Sequence, residues 1–359
     1  MVTATADRVE RGEAPAAVRL WLFSMAALVL LMVAVGGATR LTGSGLSITE
    51  WQPILGVIPP LTDADWHGAF EKYRQIPEYR FVNKGMSLAE FKAIYWWEWS
   101  HRLLGRLIGV AFVLPLAAFW LTGALPRRLG LPLLGLLSLG AVQGFIGWYM
   151  VQSGLADRVD VSQYRLALHL SLAVLIFGLL LWIALGLGPE AKRPLHPITA
   201  AQKAFAVGLV ALLFVQIVLG AFVAGLKAGL TYNTWPLMDG GLVPVGVLAI
   251  EPWYLNLFEN VATVQFSHRV AAYVVVLAAL WQAMALSRAG ADGRLQTSAW
   301  ILLAAVAGQA ALGVWTLLSV VALPLGIAHQ VGAVVVFGIA VWHLYQAIGP
   351  RFSRAPALA

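Results

Sequence analysis

The sequence predicts an all-α polytopic membrane protein: eight transmembrane helices arranged as two pseudo-twofold-related four-helix bundles. Three observations predict it. Of the 359 residues, 60% are hydrophobic and only 11% are charged, against about 25% charged in a soluble chain. Apolar runs of roughly 20 residues, each enough to cross a hydrocarbon core of about 30 Å, recur along the chain. The second half of the sequence also repeats the first. The alternating pattern of a membrane β-barrel is missing.

Taken in order, residues 1–18 read as a cytoplasmic tail. Their mixed charge and the lack of a small-residue cleavage site argue against a signal peptide. The N-terminal bundle, 19–187, holds spans at 19–39, 98–122, 129–151 and 165–187. A cytoplasmic linker, 188–201, leads to the C-terminal bundle, 202–347, with spans at 202–226, 264–286, 297–318 and 325–347. Residues 348–359 form a second tail. The long connection 40–97 contains "TDADWHGAFEKYRQIPEYRF" and "SLAEFKAIYWW", which predict two short amphipathic helices at the interface. A connection of that length commonly serves as a lid or binding loop.

Basic residues fix the orientation. Arg127, Arg128, Lys192, Arg193, Lys203, Arg288 and Arg294 fall in one set of connections, and both tails, with Arg8, Arg11, Arg351 and Arg354, share that side. It is therefore the cytoplasmic side, and the net charge of +7 reflects topology rather than nucleic-acid binding. There is no cysteine, which excludes disulfides, thiolate metal sites and thiol redox chemistry.

The repeat is explicit. "SHRLLGRLIGV" at 100–110 matches "SHRVAAYVVVL" at 267–277, and "VQGFIGWYMV" at 142–151 matches "GQAALGVWTL" at 308–317. "LALHLSLAVLIFG" at 166–178 matches "LGIAHQVGAVVVFG" at 325–338. "GSGLSITEWQP" at 43–53 matches "KAGLTYNTWPL" at 227–237, setting Trp51 against Trp235.

Of seven histidines, four open even-numbered spans: His101, His169, His268 and His329. In an up-down bundle His101 faces His169 and His268 faces His329, about one turn, roughly 5 Å, below the outer surface. A lone histidine there is ordinarily a helix cap or a headgroup contact. Four at one depth, matched in both halves, mark a site. Zinc needs four ligands and none complete the set. A di-iron carboxylate centre needs Glu-x-x-His on two helices, and "EWSH" occurs once. A haem iron needs two axial ligands, so two bis-histidine haem sites are the best account. Arg102 and Arg269, each beside a first ligand, either pair with haem propionates or snorkel to headgroups. His329 and His343 have the 14-residue spacing of stacked-haem cytochromes, but no second helix carries the pair. His343 therefore reads as an inner-interface residue, His196 as a loop residue, and His67 as a lid or solvated residue.

The halves differ at one chemical position. Glu98 stands three residues before His101, and Gln265 stands three before His268, each on its histidine's helical face. An ionisable carboxylate in the first half either serves chemistry or pairs with Arg102.

With these elements in place the chain resembles the haem A synthase family. The resemblance rests on "GGATRLTGSGLSITEWQPILGVIPPL", "EWSHR", "LALH", "TYNTWPLMDG", "FSHR" and "AHQ". It implies oxidation of the C8 methyl of haem O to a formyl group, giving haem A for cytochrome c oxidase. It implies that His101 and His169 flank the substrate haem with Glu98 at the reacting group, and that His268 and His329 bind a haem b cofactor through its iron. It places the chain in a bacterial inner membrane with the haem sites toward the periplasm, in the cysteine-free proteobacterial and mitochondrial-type branch. A haem O synthase as supplier and cytochrome c oxidase assembly factors as partners are also implied, and a homo-oligomer stays open. The rival reading is a quinol-linked dihaem b electron carrier without haem-modifying activity. A repeat-built transporter is disfavoured, because the repeats are parallel.

Overall fold

The computed structural model describes residues 16–188 and 198–349. Most of both tails, most of the linker and His196 lie outside the described residues. Eight helices are long and apolar enough to cross a membrane: α1 Ala16–Leu41, α4 Leu88–Leu121, α5 Arg127–Asp157, α6 Gln163–Gly186, α7 Ala200–Gly225, α9 Val261–Arg288, α10 Gly293–Leu318 and α11 Leu323–Ile348. Three short helices lie in the connections: α2 Asp63–Tyr73, α3 Pro77–Phe81 and α8 Asn256–Glu259. Among the described residues there is no strand, only an isolated bridge between Met238 and Gly241.

The expectation for "SLAEFKAIYWW" needs correction. It is no separate interfacial helix but the outer end of α4. Ser87 caps the helix and Glu90 closes the capping box, which satisfies two of the otherwise orphaned first-turn donors. No glycine or proline falls between Leu88 and Leu104, so the polar start joins the apolar run without a break, and the helix continues past Gly105, Gly109 and Pro115 to a length of 34 residues, about 51 Å. That exceeds a hydrocarbon core by several turns. The segment "TDADWHGAFEKYRQIPEYRF" becomes two helices, because Pro77 begins a new one at its first position. α2 opens on its own capping box, Thr62 with Asp65. Trp66 and Tyr73 of α2 and Ile76 pack with Phe91 and Tyr95 of the α4 extension, so the long connection folds back as an aromatic cap on α4.

Inside that cap Glu78 is buried, with the Tyr73 hydroxyl 3.3 Å from its Oε2, and Asn83 Nδ2 donates to the Tyr73 oxygen at 2.7 Å. Burial pushes the Glu78 carboxyl up to about 8; the Tyr73 contact opposes the shift and the Glu98 charge adds to it. A carboxyl raised on folding contributes stability at low pH and loses it as pH climbs from its ordinary value toward the folded one. The cap is therefore expected to loosen between about pH 4.5 and about pH 8, read as faster amide exchange in 62–82. Glu78→Gln should flatten that dependence; a wild-type cap whose exchange, corrected for intrinsic rates, is the same throughout would contradict it.

α1, α6, α7 and α11 form the centre, each touching helices of both halves. Their shared apolar core includes Leu22, Met25, Val174, Leu213, Val334 and Ala340. One contact is reciprocal. A Cβ on Gly178 would stand 2.9 Å from the Phe337 ring, and one on Gly338 would stand 3.1 Å from the Phe177 ring. Each glycine thus admits the other helix's phenylalanine, the small-residue packing by which membrane helices approach closely. Gln330 Nε2 of α11 donates to Val33 O of α1 at 3.1 Å. At the outer end, Lys227 pairs with Asp160 at 2.8 Å, the Tyr164 hydroxyl donates to Glu259 at 2.8 Å, and Arg40 donates to Ala224 O.

The halves pack unequally. α9 and α10 lie closely together, whereas their counterparts α4 and α5 touch sparsely. Between α4 and α5 runs an apolar groove of about 350 Å³, lined by Val113, Leu116, Ala117, Trp120, Leu121 and Leu137.

Candidate functional site

Each of the four histidines is partly buried and rests against a glycine of a neighbouring helix. His169, His268 and His329 lie about two turns inside α6, α9 and α11. His101 lies about four turns into α4, because that helix begins further out. A Cβ on Gly147 would meet the His169 ring at 3.0 Å, one on Gly220 the His268 ring at 3.1 Å, one on Gly313 the His329 ring at 2.7 Å, and one on Gly36 the His101 ring at 3.1 Å. Across each half, His101 lies within electrostatic range of His169, and His268 of His329.

Glutamines steady three of the rings. Gln143 Nε2 donates to His169 O at 3.0 Å, Gln216 Nε2 to His268 O at 3.0 Å, and Gln309 Nε2 to His329 O at 2.7 Å. The same amide nitrogens lie 3.2, 3.0 and 3.0 Å from the rings' Nδ1 atoms. The sequence carried this signal as Gln-x-x-x-Gly: "QGFIG" at 143–147, "QIVLG" at 216–220 and "QAALG" at 309–313. Gln143 and Gln309 stood out only as marks of the repeat, and Gln216 was missed because it lies in no stretch matched between the two halves.

Glu98 and Arg102 form a buried ion pair at 2.7 Å, with side chains 3% and 12% exposed. Glu98 Oε1 accepts from Arg102 Nε and Nη2, and Oε2 accepts from Ser47 Oγ at 2.8 Å and Ile48 N at 2.7 Å. Arg102 also donates to Ile48 O at 2.8 Å and Glu50 O at 3.0 Å, and Arg106 donates to Gln52 O and Pro53 O. The carboxylate is thus closed by four donors, and the loop segment 47–53 is stitched along α4.

The second half builds the same clamp with different chemistry. Arg269 donates to Tyr232 O and Thr234 O, both at 2.9 Å, the carbonyls that match those of Ile48 and Glu50 in the repeat. Gln265 Nε2 donates to Tyr232 O at 3.2 Å, where Glu98 accepts from Ile48 N. Neither arginine snorkels freely; both are held on main-chain carbonyls. Arg269 Nε and the Oε1 atoms of Gln143, Gln216 and Gln265 are buried with no partner among the described residues.

His343 requires correction. It is no interfacial residue but is 1% exposed, with Ser298 Oγ 2.8 Å from Nδ1 and Gln282 Nε2 3.4 Å from Nε2. Packing of α9, α10 and α11 encloses it. His67 is exposed, with its ring on Asp63 O, as a solvated residue would be.

Among the described residues no three His, Cys, Asp or Glu side chains gather to hold a metal ion. Two imidazoles per half, glycine clearance beside each ring and the unpartnered Nε of Arg269 fit a planar group that takes two axial nitrogens and do not fit zinc. The fold is that of a multi-pass helical membrane protein with two histidines near one end of each half. The chain belongs to the cytochrome oxidase assembly protein family, whose sequence profile matches residues 19–341. It is 54% identical over 330 residues to the "Heme A synthase" of Parvibaculum lavamentivorans, covering 92% of this chain and 94% of that one. Against the "Heme A synthase" of Chelativorans sp. it is 55% identical over 326 residues, 91% and 90% of the two chains. Against that of Rhodospirillum centenum it is 54% identical over 344 residues, 95% and 91% of the two.

Proposed function

We infer that this chain is a haem A synthase, an oxidoreductase that converts the C8 methyl of haem O to a formyl group. The observation that carries the reading is a matched pair of imidazoles in each half, with a buried carboxylate beside only one pair. His101 and His169 would hold the substrate haem O. His268 and His329 would hold haem b, which when bound supplies one-electron redox chemistry. The two halves read as pseudo-twofold-related bundles; the exchange of Phe177 and Phe337 across Gly338 and Gly178 supports this.

The chain's own residues account for the division of labour. Glu98 places negative charge one turn outside His101, in a setting where charge acts strongly. There it favours positive charge developing on the substrate and offers an acceptor for a proton leaving the methyl carbon. Arg102 keeps that carboxylate in position and fastens 47–53 over the site, which limits water. In the second half Gln265 and Arg269 fasten the loop without adding a carboxylate, as suits a redox site with no proton chemistry. Arg269, with its unpartnered Nε, is the arginine better placed to reach a propionate; Arg102 has most of its donors engaged. The membrane side follows from the basic loops: both termini cytoplasmic, haem sites periplasmic, in a bacterial inner membrane.

The sparse α4–α5 contact gives haem O a lateral route from the bilayer, and the groove beside it suits the farnesyl tail. Ala117→Trp, which fills that groove, should lower bound haem O roughly tenfold while haem b content holds. Equal haem O content in the variant would contradict the route.

The deciding experiment is extraction of pigment from the purified protein. Haem B together with haem O or haem A is expected. Haem B alone, at two per chain, favours the dihaem carrier, and absence of haem ends both readings.

A further inference from the structure

The four histidine seats are not equivalent. At three of them a glutamine stands one turn before the glycine that faces the ring. At the fourth, Gly36 faces His101 and the residue one turn earlier is Met32. Methionine offers neither the amide bond to the histidine carbonyl nor the contact at Nδ1. Among the described residues no side chain is hydrogen-bonded to the His101 ring.

The ring also lies differently. A Cβ on Gly147, Gly220 or Gly313 would meet the histidine's Cε1 first, with Nδ1 next at 3.6, 3.7 and 3.4 Å. On Gly36 it would meet Nε2 at 3.1 Å and Cδ2 at 3.4 Å. The unclamped ring presents its opposite edge, the half-turn orientation of the same plane, which no hydrogen-bond partner fixes among the described residues. Met32 Cε lies 3.6 Å from where a Cβ on Gly105 would stand, one turn past His101 on α4. A flexible thioether there adapts to a shifted neighbour at little cost, whereas an amide fixes it.

We propose that His101 is the one mobile imidazole of the four and that Met32 is the positioning residue that leaves it so. The glutamine clamps hold His169, His268 and His329 in place, while His101 can turn away from His169 and open a ligand position in the first half only. This rests on the haem reading above. It assigns that opening to a small neutral molecule on the α1 side of the first bundle, for which carbon monoxide is the probe.

The test uses the full-length protein purified with its own haems and reduced, with carbon monoxide binding followed by absorbance. Wild type is expected to bind at one of its two haems. Met32→Gln should weaken that binding about tenfold, the effect of one to two added hydrogen bonds. Met32→Leu, which also lacks a donor, should keep it. Gln216→Met should make the second haem reactive. Unchanged binding in Met32→Gln with haem content intact overturns the proposal, as does a wild type that binds none. If Met32→Gln loses its haem, Gln216→Met decides alone: an unreactive second haem overturns the proposal. Wild-type protein without any haem removes the underlying reading as well, which sets that failure apart.

Discussion

Glu98→Ala is expected to lower haem A formation at least about a hundredfold, the scale on which loss of a proton-handling group acts. Two effects combine. The substitution removes the buried carboxylate one turn before His101, and it leaves Arg102 without its ion-pair partner. Removing one partner of a buried pair costs about 3–5 kcal/mol. It also takes one acceptor from Ser47 Oγ and the acceptor of Ile48 N, so the loop loses one of its pins while those of Arg102 and Arg106 remain. Glu98→Gln separates the effects, since the second half already accommodates glutamine at this position. Its amide oxygen can accept from Ser47 and Ile48, but its amide nitrogen faces the Arg102 donors. The expected result is a folded, haem-containing protein with turnover still reduced at least about tenfold. The measurement is haem A produced per bound haem O, alongside thermal unfolding in detergent. Full turnover in either variant would refute the role given to Glu98.

His268→Ala is expected to cut haem b content at least roughly tenfold while His101 and His169 keep their share of haem O. The reason lies in the surroundings. Gln216 would still bond the backbone oxygen at 268, so the helix stays in place; only the ring nitrogen is lost. Haem A formation should stop, because electrons leaving the substrate then have no resident acceptor. The measurement is the ratio of haem B to haem O in extracted pigment. An unaltered ratio would mean that the second half holds its haem by other groups, or holds none.

Much of this was legible in the sequence because membrane insertion constrains composition so strongly. All eight spans follow from apolar length. The alignment of Trp51 with Trp235 sets the two loops against each other, but not the clamps on them, since Arg102 and Arg269 read only as pairing with propionates or snorkelling, whereas both hold main-chain carbonyls. What stayed hidden is instructive. α4 begins ten residues before the predicted span because a helix need not stop where its apolar run does, and Ser87 and Glu90 start it in polar sequence. The Glu98–Arg102 pair was visible only as one of two alternatives, since spacing of four residues permits it but burial decides it. The glutamine clamps act between helices, from a span with no histidine to one that has it, so no local pattern around His268 pointed to Gln216. Met32 carried no signal at all until the three glutamines were seen together. His343 was misplaced because its position near the end of α11 suggested an interface, whereas Ser298 and Gln282 enclose it.

The most direct measurement is an electron cryo-microscopy map of the pigmented, purified protein. It should show a flat macrocycle bridged by ring nitrogens of His101 and His169 in one half and of His268 and His329 in the other, with Glu98 beside the first alone. Density in which these four side chains diverge toward the acyl chains, with no macrocycle between them, would contradict the account.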